Sequence, residues 1–231
     1  MRGALASLKN LATGRSYLAP QPAADQTPCP LQLIFRGHNA VDLTDRYWGR
    51  AVCKLLSPTR AQFLIEVWDG IAVVTCSEDL ETGDLLIEPS GMSHRAALRS
   101  VRWRVGGLDP DLDLVAPFFQ GTRLKLSDPL LHNFRWAWPQ YWEAGLAILQ
   151  GAHEGFSIQS HDAQGIYTAM RVLPEQALTF ETEAYGPLDD NRAAGGLAWR
   201  ISVHQGDWRV PAASYRDWLA SLPAHRRHVH P

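Results

Sequence analysis

An all-β fold closed by a single C-terminal helix is what this sequence predicts, and three observations predict it. Short alternating or continuous apolar runs are broken by turn residues about every eight to twelve positions, the pattern of an antiparallel sandwich or barrel. Asp69-Gly70 stands between two such runs, and Asp-Gly supplies the positive φ angles that a tight hairpin turn needs. Near the C-terminus, Tyr215, Trp218, Leu219 and Leu222 fall at i, i+3, i+4 and i+7, the one convincing helical stripe in the chain.

The elements follow in order. Ala19 to Pro30 holds four of the fifteen prolines and reads as an irregular connection between early strands. Leu31–Phe35 is a strand candidate. Phe63, Ile65 and Val67 alternate with Leu64, Glu66 and Trp68 before Asp69-Gly70 turns into Ile71–Val74. Asp84–Glu88 is a further strand, and Val101, Trp103 and Val105 alternate with Arg102 and Arg104 as a half-buried one. Gly145–Leu149 and Phe156–Ser160 form a hairpin through the residues from Gly151 to Gly155. The chain then turns back through His161–Gly165 into Ile166–Val172, completing a meander. Ala177–Tyr185 and Leu197–His204 read as another pair, joined by an exposed Asp- and Gly-rich stretch from Gly186 to Gly196. In the second of them Leu197, Trp199, Ile201 and Val203 share one face. The helix spans Val210–Leu222, with Asp207 as cap or first-turn anion, Pro211 near its start and Pro223 ending it. Gly106-Gly107 and Gly195-Gly196 read as turns, and residues 224–231 as a disordered tail.

Composition excludes several classes. The 231 residues carry a net charge of −2, which gives no electrostatic footprint for nucleic acid. No apolar run is long enough for a transmembrane helix, and Met1–Leu18 has no apolar h-region, so a cytoplasmic chain without membrane association is expected. Cys29, Cys53 and Cys76 are too few and too scattered for a disulfide framework. Cys53 and Cys76 fall on apolar strands, as small buried hydrophobes would. His225, His228 and His230 mimic metal ligands but lie in the tail with no carboxylate or cysteine beside them, so no metal and no cofactor is expected. Phosphate-loop, dinucleotide and nucleophile-elbow motifs are absent from the sequence.

Three groups of residues bear on function. The chain has nine tryptophans, and Trp136, Trp138, Tyr141 and Trp142 cluster beside Phe134. Sugars present apolar C–H faces that stack on such rings, so these four residues are candidate carbohydrate contacts; the alternative is that they cover one end of the core or pack against another domain. His161-Asp162 is a second candidate, as a sugar-hydroxyl ligand or acid–base pair; the alternative, and the favoured one, is an Asp-formed turn. Glycoside hydrolysis needs two carboxyl groups roughly 5 to 10 Å apart across the scissile bond. Glu143, Glu154, Asp162, Glu181, Glu183, Asp189 and Asp190 are available, yet none stands in a motif that assigns a role. Glu181 and Glu183 alternate on one strand face and read as solvated; Asp189-Asp190 reads as an exposed loop.

Read together, three stretches resemble a known family. Gly3-Ala4-Leu5-Ala6-Ser7-Leu8-Lys9-Asn10 followed by Thr13-Gly14-Arg15-Ser16-Tyr17-Leu18 is similar to its opening strand and turn. Gly155–Asp162 resembles its central strand ending in His-Asp. Gly206-Asp207-Trp208 with Ala212-Ala213-Ser214-Tyr215-Arg216-Asp217-Trp218 resembles its linking helix. The family comprises glycoside-hydrolase-like proteins with an N-terminal galactose-mutarotase-like β-supersandwich ahead of a catalytic (β/α)₈ barrel.

The resemblance implies an antiparallel supersandwich over residues 1–208, a helix over 209–223 that would lead to the barrel, and hydrolytic carboxylates that belong to the barrel rather than to this chain. The expected role is therefore a non-catalytic, carbohydrate-associated front domain, detached or truncated, with a glycan as ligand. Two rival readings stand beside it. One is a small sugar mutarotase or epimerase acting through His161 or another histidine with a glutamate. The other is a structural docking partner for a catalytic barrel supplied in trans.

Overall fold

Alternation of apolar and polar side chains makes strands that bury one face, and here two antiparallel sheets close on each other over their buried faces. The computed structural model describes residues 5–19, 31–36, 42–44, 48–67, 69–132, 134–184, 187 and 189–223. Along these run β1 (Leu31–Arg36), β2 (Asp42–Thr44), β3 (Trp48–Ser57), β4 (Arg60–Val67), β5 (Gly70–Glu78), β6 (Leu85–Ser93), β7 (Leu98–Val105), β8 (Asp113–Ala116), β9 (Thr122–Lys125), β10 (Arg135–Ala137), β11 (Leu146–Gln150), β12 (Glu154–Ser160), β13 (Thr168–Leu173), β14 (Ala177–Glu183), β15 (Ala193–Gly195), β16 (Trp199–Gln205) and the helix α1 (Arg209–Ser221). The six-stranded sheet has the order β10-β13-β14-β7-β1-β2. The ten-stranded sheet runs β3-β4-β5-β6-β16-β12-β11-β8-β9, with β15 added beside β6. The all-β sandwich with one C-terminal helix is thus the observed architecture.

Between the sheets lies a core rich in rings. Trp199 of β16 is fully buried and packs against Phe180 of β14 at 5.0 Å and Trp103 of β7 at 6.2 Å between ring centroids. Where β6 meets β1, a Cβ on Gly91 would lie 2.2 Å from Leu33 Cδ2, so a glycine lets the sheets approach. On the far side of the larger sheet, α1 lays Tyr215 against Leu146 and Ile148 of β11. Asp207 accepts the backbone N–H of Arg209 at 2.9 Å and so serves the first turn of α1.

Asn10, Thr13 and Tyr17 of the opening motif hold the described N-terminal stretch to the larger sheet. Glu154 Oε2 accepts from Asn10 Nδ2 at 2.5 Å, Thr13 Oγ1 at 2.7 Å and Tyr17 Oη at 3.2 Å. Between them Gly14 turns the chain with φ of 75°. The opening motif is therefore a clasp around the β11–β12 hairpin. Burial, with the Glu154 charge behind it, pushes the Tyr17 hydroxyl up to about 12.

Several expectations are corrected by the pairing. Gly70 pairs with Val67 and is the first residue of β5 rather than part of the turn; a Cβ there would lie 1.9 Å from the Met92 carbonyl oxygen, so the glycine answers the close approach of β6. The β11–β12 hairpin forms, but the meander does not: β12 pairs next with β16, while β13 joins β14 and β10 in the smaller sheet. Residues 161–167 are thus a crossing between sheets. Likewise β14 and β16 are not a pair but face each other across the core. The stretch between them includes β15, and Asn191 Nδ2 donates to the Leu98 carbonyl at 2.5 Å to pin it down. Val203, expected on the buried face, is 40% exposed.

The reading of Glu181 and Glu183 as a solvated face is also overturned. Glu181 is 1% exposed and lies under arginines of the smaller sheet's outer face: Arg99 and Arg102 each reach it at 2.8 Å and Arg135 at 3.3 Å, with Ser100 Oγ donating at 2.8 Å. Cys53 and Cys76 are not core residues. Cys53 is exposed, because β3 is the outermost strand of its sheet, and Cys76 is half-buried, with burial pushing its thiol up to about 11. Cys29, most of the proline-rich connection, Tyr185 and Gly186, and the histidine-bearing tail lie outside the described residues. Among the described residues no helix is long and apolar enough to cross a membrane, and no three His, Cys, Asp or Glu side chains are grouped as metal ligands.

Candidate functional site at the aromatic end

The aromatic cluster collects at one end of the sandwich, where the β8–β9 loop, the β10–β11 connection, the β12–β13 crossing and α1 meet. Sequence order fixes this convergence. Tyr141 N–H and Trp142 N–H both donate to the Ala137 carbonyl, at 2.8 and 3.1 Å, so the chain wraps tightly after β10. Trp138 N–H donates to the Thr168 carbonyl at 2.9 Å, which seats Trp138 beside the start of β13. Glu143 N–H donates to the Pro117 carbonyl at 2.8 Å, and the Glu143 carboxylate accepts Gln120 N–H at 3.1 Å.

The β8–β9 loop is strained. Phe119, Gln120 and Gly121 stand at φ of 45°, 70° and 103°, a left-handed run that two of these residues adopt at a steric cost. The strain lifts Phe119 into solvent, 68% exposed, beside Tyr141 and Phe134, both 44% exposed. These rings form an apolar platform over Phe118.

Next to the platform a cavity of about 270 Å³ opens, lined by Trp138, Glu143, Asp162, Thr168, Tyr215 and Leu219 among others. Asp162 Oδ1 accepts Gln164 N–H at 2.8 Å and Oδ2 accepts Ile166 N–H. Tyr215 Oη accepts Gly145 N–H at 3.1 Å, and burial pushes this hydroxyl up to about 12, so it stays a neutral donor. Both carboxyl groups at the cavity accept backbone N–H groups, which fixes where they stand.

The six sequence candidates separate. Trp138 and Asp162 line the cavity, and Tyr141 stands on the platform beside it. Trp136 and Trp142 are corrected to core residues, 1% and 0% exposed. Phe118 stacks on Trp136 at 4.5 Å, and Trp142 lies parallel to Trp199 with its Nε1 donating to the Leu146 carbonyl at 3.0 Å, so neither offers a ring face to a sugar. Phe119, Glu143 and Tyr215 belong to the site and were not among the candidates. Only Glu143, as one of several acids, was visible beforehand; Phe119 comes from the β8–β9 loop and Tyr215 from α1, both apart from the ring-dense segment in sequence.

His161 sits behind the cavity. Its ring stacks on Trp218 at 4.3 Å, and its Nε2–H meets Gln159 Oε1 at 2.9 Å. Burial, helped by the Arg200 charge and opposed by Asp84 and Asp79, pushes its pKa down to about 4. Unfolded, the imidazole protonates near its ordinary 6.5, so in the window between the two values the unfolded chain binds the extra proton. Its contribution is full above that window and is lost as pH falls through it. His161→Phe, which keeps the stacking, is expected to flatten part of the fall in thermal midpoint between about pH 7 and about pH 4.5. The share due to His204, whose pKa burial also lowers, would remain. An unchanged slope would mean that His161 is protonated alike in both states.

Comparison with known proteins places the fold. No protein-family model matches the chain, and no curated protein matches its sequence. Among solved structures, the α-N-acetylgalactosaminidase NagBb of Bifidobacterium bifidum, in complex with GalNAc, is similar at a TM-score of 0.56 and 10% identity, over 94% of this chain and 38% of that one. A GH36 α-galactosidase variant of Geobacillus stearothermophilus, in complex with stachyose, is similar at a TM-score of 0.50 and 10% identity, over 93% of this chain and 36% of that one. The chain therefore shares a fold with a part of these glycoside hydrolases and spans little more than a third of their length.

Proposed function

We propose that the chain is a non-catalytic, carbohydrate-associated β-supersandwich, the front domain of a glycoside-hydrolase-like architecture, and that it contacts sugar at the cavity beside Trp138. One observation carries the reading: a half-buried indole, two carboxylates and a buried tyrosine hydroxyl converge on a concavity of about 270 Å³ at the end of a rigid sandwich. An aromatic wall with a few placed polar groups is what a sugar ring requires. The fold shared with hydrolases of galactosyl sugars supports this reading. So does the position of His161, whose ring stacks on Trp218 and is not among the residues that line this cavity.

Calorimetric titration with galactose, N-acetylgalactosamine and stachyose tests it. Trp138→Ala is expected to weaken binding by about tenfold, about 1.4 kcal/mol. Binding that survives Trp138→Ala unchanged would remove the site, and a polarimetric assay in which the protein speeds anomer exchange would overturn the non-catalytic reading.

A second reading has its own observation. Phe119, Phe134 and Tyr141 form an exposed apolar platform, the kind of surface that docks another folded body. On this reading the platform receives a catalytic barrel supplied in trans, and polar replacement of Phe119 abolishes that association while leaving sugar binding at Trp138 intact.

A further inference from the structure

We propose that the cavity beside Trp138 selects a sugar carrying a free, protonated amine over its neutral and acidic counterparts; this rests on the sugar-binding reading above. Among the described residues, the lining includes two carboxylates, Glu143 and Asp162, and no lysine, arginine or histidine. The cations nearby are already engaged elsewhere. Arg200, whose charge reaches His161, is held by Asp79 at 2.5 Å and Asp84 at 2.6 Å. Arg135, on the strand leading to Trp138, is held by Glu183 at 3.0 Å and Glu181 at 3.3 Å.

The carboxylates have room for a ligand. Each Asp162 oxygen accepts one backbone N–H, and the Glu143 carboxylate accepts that of Gln120, so every oxygen keeps a lone pair to share. Trp138 adds an independent preference of the same sign, because an indole face attracts an ammonium group and not a carboxylate. Asp162 and Trp138 are half-buried, so an ammonium contact on that side is screened less than in bulk water, whereas Glu143 stands at the exposed rim. A uronate or a sugar phosphate meets two like charges there, and an N-acetylated sugar loses the charge that two carboxylates would pair with.

The test titrates galactosamine, galactose, N-acetylgalactosamine and galacturonate into the intact chain, at low salt and at a pH where the amine is protonated. Galactosamine is expected to bind at least about tenfold tighter than galactose, with the ratio shrinking as salt is raised. In Glu143→Gln the galactosamine-to-galactose ratio is expected to fall toward one, whatever the change in galactose binding itself; the thermal midpoint of that variant reports whether it is folded. Equal binding of galactosamine and galactose overturns the amine selectivity and leaves the sugar site standing. A ratio that persists in both Glu143→Gln and Trp138→Ala places the amine elsewhere and overturns the proposal. No binding of any of the sugars overturns the sugar-site reading and this inference with it.

Discussion

Trp199→Ala is expected to destabilise the fold by about 3–5 kcal/mol, the largest loss of any single core truncation here. The ring is fully buried and touches both sheets: it packs on Phe180 and Trp103 of the smaller sheet and lies parallel to Trp142 from the β10–β11 connection. Its Nε1 also donates to Thr182 Oγ1 at 3.3 Å, and Thr182 is itself fully buried, so the truncation leaves a cavity and an unsatisfied hydroxyl together. For a chain of this size the loss corresponds to a fall in thermal midpoint of about 6–20 °C. Urea unfolding measures it directly, with Val203→Ala on the same strand as a control expected within about 0.5 kcal/mol because its side chain is 40% exposed. A loss below about 1 kcal/mol for Trp199→Ala would mean that the sheets do not pack through this ring.

Trp199 also shows what was legible in the sequence and what was not. Its alternation with Arg200 and Ile201 marks a strand with a buried face, and the structure agrees. Nothing in that alternation says which strands lie beside it, and the expected partner, β14, turns out to face it from the opposite sheet. The reason is physical. β12 and β14 do alternate, but both of their faces are covered: Ser157, Gln159, Thr179 and Glu181 are buried along with the apolar side chains, so the alternation does not reveal what flanks each strand. The short strands β2, β9, β10 and β15 carry too few residues for periodicity to register. At the candidate site, local density of rings marked one end of the molecule but could not separate the half-buried Trp138 from the core residues Trp136 and Trp142. Which indole reaches the cavity depends on the pleat of β10 and on the turn after it, and the core claims the other two. Glu181 was hidden for a different reason: its neutralising arginines come from β7 and β10, far away in sequence and adjacent only once the sheet forms.

Glu181→Ala is the second change with a large expected effect. The carboxylate is 1% exposed and accepts from Arg99, Arg102 and Arg135, so its removal takes a shared counter-charge from three guanidinium groups on one half-buried face, with Glu183 still beside Arg99 and Arg135. Breaking a buried ion pair by deleting one partner costs about 3–5 kcal/mol, because the abandoned charge stays desolvated. The pH dependence gives an independent readout. Burial works to raise the Glu181 pKa, but the charges of Arg102, Arg135 and Arg99 outweigh it and hold the carboxyl well below its ordinary range. The native state then binds fewer protons than the unfolded chain below the unfolded value of 4.5, so the stability due to Glu181 is full above that pH and is lost as the medium becomes more acidic. The gap between wild type and Glu181→Ala in urea unfolding is therefore expected to be widest near neutral pH and to narrow on acidification. Glu183, whose pKa burial raises, contributes with the opposite sign and cannot mimic this trend. A gap that stays constant from neutral to acid pH would show that Glu181 stabilises by packing alone, and that the arginines of the smaller sheet's outer face are held by other groups.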